Sequence, residues 1–163
     1  MSRQLLYIDA IAEDAELLSL TAKSSKKIWG YSDELMLLWK EDLEVAKDYI
    51  FENKVVKVYN LEKYVGFFAV KSLENENAEI DHLWITPKNV KQNYGREIFQ
   101  FIKSYVASIG SKKLTVIAEP NAKGFYEKMG GKIIGRFESI INGRFLDIYE
   151  FSIYNEATTA NIG

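Results

Sequence analysis

The sequence predicts a mixed α/β or α+β sheet covered by helices. Three observations lead there. Short runs rich in β-branched and aromatic residues alternate with longer segments of helical spacing. Glycine, proline and asparagine punctuate these segments. Hydrophobic residues make up 47% of the 163 residues and aromatics 13%, ample for a packed core and too rich for disorder. The predicted order is strand, two helices, three strands, helix, strand, helix, two strands. No repeat or linker interrupts it, which suits one domain.

Leu5–Ile8 reads as an opening strand. Glu13, Asp14 and Glu16 then begin a helix, with acids in the first turn where the macrodipole favours them. Leu17, Leu18, Ile28 and Trp29 are its apolar members, and Gly30 marks its stop. Ser32 is an N-cap candidate. From Leu35 through Leu38, Trp39, Leu43, Ala46, Tyr49 and Ile50, apolar residues recur mostly at three and four, which predicts one strong amphipathic helix. Val55–Tyr59 and Val65–Val70, joined by a turn at Leu61–Lys63, read as an antiparallel hairpin. After the loop at Asn75–Asn77, Ala78–Thr86 is a third strand, ended by Pro87.

A polar turn over Lys88–Tyr94 leads into a helix starting near Gly95. Its apolar members are Ile98, Phe101, Ile102, Tyr105, Val106 and Ile109, and Gly110 closes it. Leu114, Val116 and Ala118 alternate as a strand. Pro120 and Asn121 open a short helix through Met129, with Asn121 as its cap and Gly130-Gly131 as its stop. Lys132–Ile140 and Arg144–Ile153 are the last strands. Asn142-Gly143 is the best hairpin turn of the chain, since both residues tolerate φ > 0.

Composition excludes several chemistries. There are no cysteines, so disulfides, thiolate metal sites and a cysteine nucleophile are out, which suits a reducing compartment. One histidine, His82, rules out a multi-histidine metal site. The net charge of −2 gives no support to a nucleic-acid binder. No apolar run could span a bilayer, and the N-terminus lacks a signal-peptide pattern. A soluble cytoplasmic protein that uses no metal is the expectation. The charge is uneven, however. Residues 1–52 carry 6 basic and 11 acidic side chains, a net of −5, whereas residues 86–136 carry 10 against 3, a net of +7. That basic stretch is either a solvated face or a surface that attracts a polyanionic small ligand.

Three places combine chemistry-bearing residues. Gln92-Asn93-Tyr94-Gly95 lies between a strand and a helix, where backbone N–H groups and the positive helix end converge into a phosphate site, with Lys88, Lys91 and Arg96 around it. Asn93 tolerates left-handed φ, and Gly95 lets the backbone approach a ligand. An ordinary helix start is the alternative. Tyr126, one turn into a short helix after a strand, either packs in the core beside Phe125 or donates a proton to a leaving group as a neutral phenol. Glu79, Asp81 and His82 crowd an otherwise apolar strand, the carboxylates on one face and His82 on the other. Carboxylates on a central strand are costly unless paired or useful. His82 is either a hydrogen-bonded core residue or a catalytic one.

Together these elements resemble the GNAT superfamily of N-acetyltransferases, from Leu5 to about Ile153. Leu83-Trp-Ile-Thr-Pro87 followed by Gln92-Asn-Tyr-Gly95 is similar to that family's acyl-CoA motif, a strand leading into an Arg/Gln-x-x-Gly-x-Gly/Ala turn. Asn121-Ala-Lys-Gly-Phe-Tyr-Glu-Lys-Met-Gly130 resembles its second signature, and Trp29-Gly30-Tyr31 a junction between the first two helices of some members. Asn93 departs from a frequent glycine and Glu97 from Gly or Ala, where a carboxylate would weaken pyrophosphate binding unless it points away.

The resemblance implies a central, mostly antiparallel sheet with helices on both faces, spanning residues 1–154, with 155–163 a polar tail. It implies transfer of an acetyl group from acetyl-CoA to a small-molecule or peptide amine, by direct attack and without metal. The amides of Gln92, Asn93, Tyr94, Gly95, Arg96 and Glu97 would hold the pyrophosphate. Trp84 and Ile85 would pair with the pantetheine arm, with Asn121 and Phe125 also in the donor site. Tyr126 would protonate the departing thiolate, and Glu79 would be the general base, with Asp81 and His82 as alternates. The acceptor wall would include Trp29, Tyr31, Trp39 and Phe145. A catalytically silent acyl-CoA-binding module is the rival function. No nucleic-acid or membrane partner is expected, and the resemblance allows a homodimer.

Overall fold

The structure, a computed structural model, describes residues 3–141 and 143–153. The chain forms two compact units. One runs through Val70 and adds His82–Gly95; the other is Lys71–Asp81 with the chain from Arg96 on.

In the first unit, β1 (Leu5–Asp9), β2 (Lys54–Asn60) and the first part of β3 (Lys63–Leu73) are neighbours in that order, all antiparallel. The β2–β3 turn places Leu61 at φ +57. Between β1 and β2 lie α1 (Ala15–Lys27), α2 (Asp33–Leu38), α3 (Lys40–Leu43) and α4 (Lys47–Glu52). Gly30, at φ +85, follows α1 as expected, and the Ser32 hydroxyl caps α2 by accepting from the Leu35 N–H at 3.2 Å.

Two sequence expectations are corrected here. The single helix predicted from Leu35 to Ile50 is three short ones. Trp39 leaves helical geometry (φ −96, ψ 6), and Glu44 and Ala46 are extended. The cause at the second break is Ser19 of α1. Its hydroxyl accepts from the Val45 N–H at 2.8 Å and donates to the Val45 carbonyl at 3.4 Å, replacing the helical partners of that residue. The buried face of α1 also differs from the apolar one expected. Leu18, Ser19, Thr21, Ala22 and Ser25 face inward, while Leu17, Ile28 and Trp29 are exposed. Three buried hydroxyls set that face. Besides Ser19, Thr21 shares a hydrogen bond with the Tyr64 hydroxyl at 2.9 Å, and Ser25 donates to the Ile85 carbonyl at 2.8 Å.

In the second unit the strand order is β4 (Asn77–Ile85, through Asp81), β5 (Lys113–Ile117), β7 (Phe145–Ser152), β6 (Lys132–Glu138). The β4–β5 pair is parallel and covers Asn77–Ile80; the other two pairs are antiparallel. One parallel pair among antiparallel ones makes the sheet mixed, as expected. The connection from β4 to β5 is α5 (Tyr94–Ser108), and α6 (Lys123–Lys128) follows β5. Within this unit the buried side chains of α5 are Ile98, Phe99, Ile102 and Val106, at spacings of one, three and four. Phe99 meets Phe151 at 4.7 Å between ring centroids and Phe125 at 6.1 Å. Gly110 and Gly130 take φ +86 and +93 after their helices. The expected cap Asn121 is replaced by Glu119, whose carboxylate accepts from the Asn121 N–H at 2.6 Å. At the last hairpin Gly143 has φ +78; Asn142 and the 155–163 tail lie outside the described residues.

Candidate functional site

The helix-start turn belongs largely to the first unit. Lys91 and Asn93 both adopt left-handed backbone, at φ +65 and +63, so the conformational reading of Asn93 holds. The turn is braced by a residue that sequence patterns did not single out. Arg3 donates to the Gln92 carbonyl and lays its guanidinium 3.8 Å from the centroid of the Tyr94 ring. Tyr94 is buried, and its hydroxyl accepts from the Asn60 amide at 2.9 Å. Lys88, Lys91 and Arg96 are exposed, while Glu97 is half-buried in the first turn of α5.

The end of β4 is held in the same unit. Thr86 N–H donates to the Val65 carbonyl at 3.0 Å. Gly66, at φ +153, lies so close that an added Cβ would stand 2.1 Å from the Trp84 carbonyl oxygen. No side chain fits there. The Ser25 bond to the Ile85 carbonyl fixes α1 to the same stretch.

His82 lies on the buried face of β4, opposite Glu79 and Asp81 as alternation requires. Its Nδ1 accepts from the Trp84 indole N–H at 3.0 Å, and its ring sits against Tyr49 and Phe67. An acceptor Nδ1 places the proton of the neutral ring on Nε2, so neither nitrogen offers a free lone pair while that bond stands.

In the second unit, Glu79 and Asp81 share the half-exposed face of β4. Burial first, then the Asp81 carboxylate, pushes the Glu79 pKa up; Lys71 opposes this. Asp81 pairs with Lys71 at 3.5 Å. The register continues this face across the strands: Glu79 lies beside Thr115, and Thr115 beside Glu150. A partly desolvated carboxylate with a raised pKa takes a proton more readily than an ordinary one.

Tyr126 is buried on α6, with Phe125, Phe99, Tyr149 and Phe151 around its ring. Burial pushes its pKa up, which keeps the phenol protonated. Three other tyrosines, 64, 94 and 149, tie their hydroxyls to Thr21, Asn60 and Glu127. The Tyr126 hydroxyl makes no hydrogen bond among the described residues. Asn121 is exposed, and its side-chain amide donates to Glu119 at 3.2 Å.

Of the aromatic residues expected on an acceptor wall, Trp29, Tyr31 and Trp39 belong to the first unit and Phe145 to the second. In the first unit Tyr31 meets Trp39 edge-on at 4.8 Å, and the Lys26 ammonium covers the Trp39 face at 3.9 Å. Trp29 is exposed in that unit and Phe145 in the other. A groove of 460 Å³ beside α1 and α2 is lined by Leu20, Lys23, Met36, Leu37 and neighbours and holds none of the candidate residues. Among the described residues, no three acidic, histidine or cysteine side chains gather as a metal site, and no helix is long and apolar enough to cross a membrane.

No curated protein matches the chain. Solved structures resemble it over nearly all of its length. The PaiA N-acetyltransferase of Thermoplasma acidophilum, in complex with coenzyme A, is 19% identical at a TM-score of 0.73, covering 91% of this chain and 99% of its own. A GCN5-related N-acetyltransferase from Rhodopseudomonas palustris is 21% identical at a TM-score of 0.74, covering 94% and 97%. The N-acetylglutamate synthase of Neisseria gonorrhoeae, complexed with coenzyme A and N-acetyl-glutamate, is 15% identical at a TM-score of 0.70; the match covers 95% of this chain and 36% of that one. At such identities these likenesses show the fold, a mixed sheet flanked by helices. The family model of the acetyltransferase (GNAT) domain matches residues 30–136, two motifs and most of the sheet included, and the chain belongs to that family.

Proposed function

We propose that this chain transfers an acetyl group from acetyl-CoA to an amine by direct attack of the amine nitrogen on the thioester carbonyl. The observation that carries the reading is Tyr126. Its phenol is buried and held protonated, and it is the one among the tyrosines at 64, 94, 126 and 149 whose hydroxyl has no partner among the described residues. The departing thiolate of CoA supplies one, and the phenol gives it a proton as the carbon–sulfur bond breaks.

Glu79 is the base. A cationic amine must lose a proton before it attacks, and a carboxyl with a raised pKa accepts it directly or through water. His82 serves less well, because Trp84 occupies its Nδ1. The donor's pyrophosphate would lie on the amides from Gln92 to Glu97, and its pantetheine arm on Trp84 and Ile85, with Asn121 and Phe125 completing the donor set. Coenzyme A in two of the similar structures supports this ligand class. The acceptor is an amine on a small molecule or peptide.

Calorimetric titration with acetyl-CoA, followed by thiol release with a panel of amines, tests the reading. The chain has no cysteine, so every thiol titrated comes from CoA. One-site binding with amine-dependent release is expected. Binding without release from any amine would leave a silent acyl-CoA-binding module, and absence of binding would remove the donor site.

A further inference from the structure

The turn before α5 runs against the conformational preference of its residues. Lys91 and Asn93, one residue apart, both stand in the left-handed region, at φ +65 and +63. That region is disfavoured for every residue but glycine, and for lysine more than for asparagine. One relaxation is open to it. Rotating the peptide plane between Gln92 and Asn93 by about half a turn changes only ψ of Gln92 and φ of Asn93, and it returns Asn93 to negative φ.

Arg3 opposes that rotation. Its guanidinium donates to the Gln92 carbonyl oxygen, which the rotation would carry to the other side of the chain. The guanidinium is itself placed, 3.8 Å from the centroid of the Tyr94 ring. That ring is buried, and the Asn60 amide donates to its hydroxyl at 2.9 Å. The Gln92 side chain is held as well, its amide donating to the Lys88 carbonyl at 3.3 Å. Every residue of this clamp belongs to the first unit.

In a trans peptide the carbonyl and the following N–H point in opposite directions. The bond to Arg3 therefore turns the Asn93 N–H away from the guanidinium. Asn93 is exposed, and its N–H meets no acceptor among the described residues. With the plane reversed, a carbonyl oxygen would stand in place of that donor and repel an anion.

We propose that Arg3 is a positioning residue of the donor site: by holding the Gln92 carbonyl, it keeps the Asn93 N–H aimed at the pyrophosphate of acetyl-CoA. This rests on the donor reading given above. A glycine at 93 would take the left-handed conformation freely, whereas asparagine there needs the clamp.

Calorimetric titration with CoA, on the parent and on Arg3→Met, tests it. Arg3→Met should bind CoA about tenfold more weakly. The loss should persist at roughly 0.5 M salt, because a clamp, unlike an exposed charge, is not screened. It should appear in KM for acetyl-CoA rather than in kcat. In an Asn93→Gly background the same Arg3 substitution should cost less than about threefold, since glycine does not favour the reversed plane. An acetylated pantetheine without phosphates should bind the parent and Arg3→Met alike, which also shows that the variant is folded. A parent that binds no CoA removes the donor site and this role with it. Where the parent binds, the role of Arg3 alone is overturned by any of four results: an Arg3→Met affinity equal to the parent's, a loss that vanishes at high salt, a loss shared by the phosphate-free analogue, or an undiminished loss in the Asn93→Gly background.

Discussion

Tyr126 and Glu79 differ in how they can be tested, because the proposed acid must hold a proton and the proposed base must lack one. Tyr126→Phe removes only the hydroxyl, and that hydroxyl supports no hydrogen bond among the described residues. The variant should therefore melt with the parent. Its kcat should fall about 10²–10⁴-fold with acetyl-CoA affinity nearly unchanged, the range that general acid catalysis contributes. Equal turnover would return Tyr126 to the aromatic core. Glu79 carries a stability signature as well. Its pKa is raised in the fold by burial and by Asp81, so the folded chain keeps that proton to a higher pH than the unfolded chain. Between the two pKa values the folded state binds more protons, and stability falls as pH rises across that window. Glu79→Gln removes the cost. It should match the parent's stability below the ordinary glutamate pKa and exceed it at neutral pH, while losing most activity. In the parent, the acid limb of kcat/KM should fall above the usual glutamate range. An acid limb at the ordinary value, with no gain in the variant's melting temperature, would take the base role from Glu79.

At the scale of elements, the second half of β4 depends on a glycine of β3. Gly66 combines φ +153 with a Cβ position 2.1 Å from the Trp84 carbonyl, so Gly66→Ala must displace backbone. A cost of about 3 kcal/mol follows, or a melting temperature lower by roughly 6–12 °C for a chain of this size. KM for acetyl-CoA should rise with it, since Trp84 and Ile85 are the proposed donor edge. An alanine variant with the parent's melting curve would mean that β4 has room to shift. The same elements show what the chain discloses in advance. Strands, the α5 face and the glycine stops were legible because period, branching and positive φ are local properties. The second break in the predicted 35–50 helix was not, since a serine 26 residues away satisfies Val45. The buried face of α1 was hidden for a related reason: it is chosen by hydroxyl partners on Val45, Tyr64 and Ile85, which have no periodic signature. Arg3, far from Gln92 in sequence, was equally invisible, as was the Trp84–His82 bond that weakens one candidate base.

Over the whole molecule, the charge-rich stretches differ in their ion pairing. Three of the acids in residues 1–52 pair with cations: Asp9 with Lys54 at 2.7 Å, Asp14 with Lys57 at 3.1 Å and Asp33 with Lys27 at 2.6 Å. Lys88, Lys91 and Arg96, around the turn that starts α5, form no ion pair among the described residues. Arg3 adds a further cation beside the same turn. Exposed charges of one sign act together over roughly a Debye length, about 8–10 Å at ordinary ionic strength. A ligand carrying several phosphates is drawn to such a region more strongly than its direct contacts require, and salt removes that part of the attraction. Acetyl-CoA binding should therefore weaken about threefold to tenfold between roughly 0.02 and 0.5 M salt. An acetylated pantetheine without phosphates should bind more weakly, with little response to salt, because it keeps the β4 edge and loses the turn. Triple replacement of Lys88, Lys91 and Arg96 by glutamine should flatten the acetyl-CoA response to that of the phosphate-free analogue. If the parent's affinity is already independent of salt, the basic stretch is only a solvated face, and the phosphates are held by backbone amides alone.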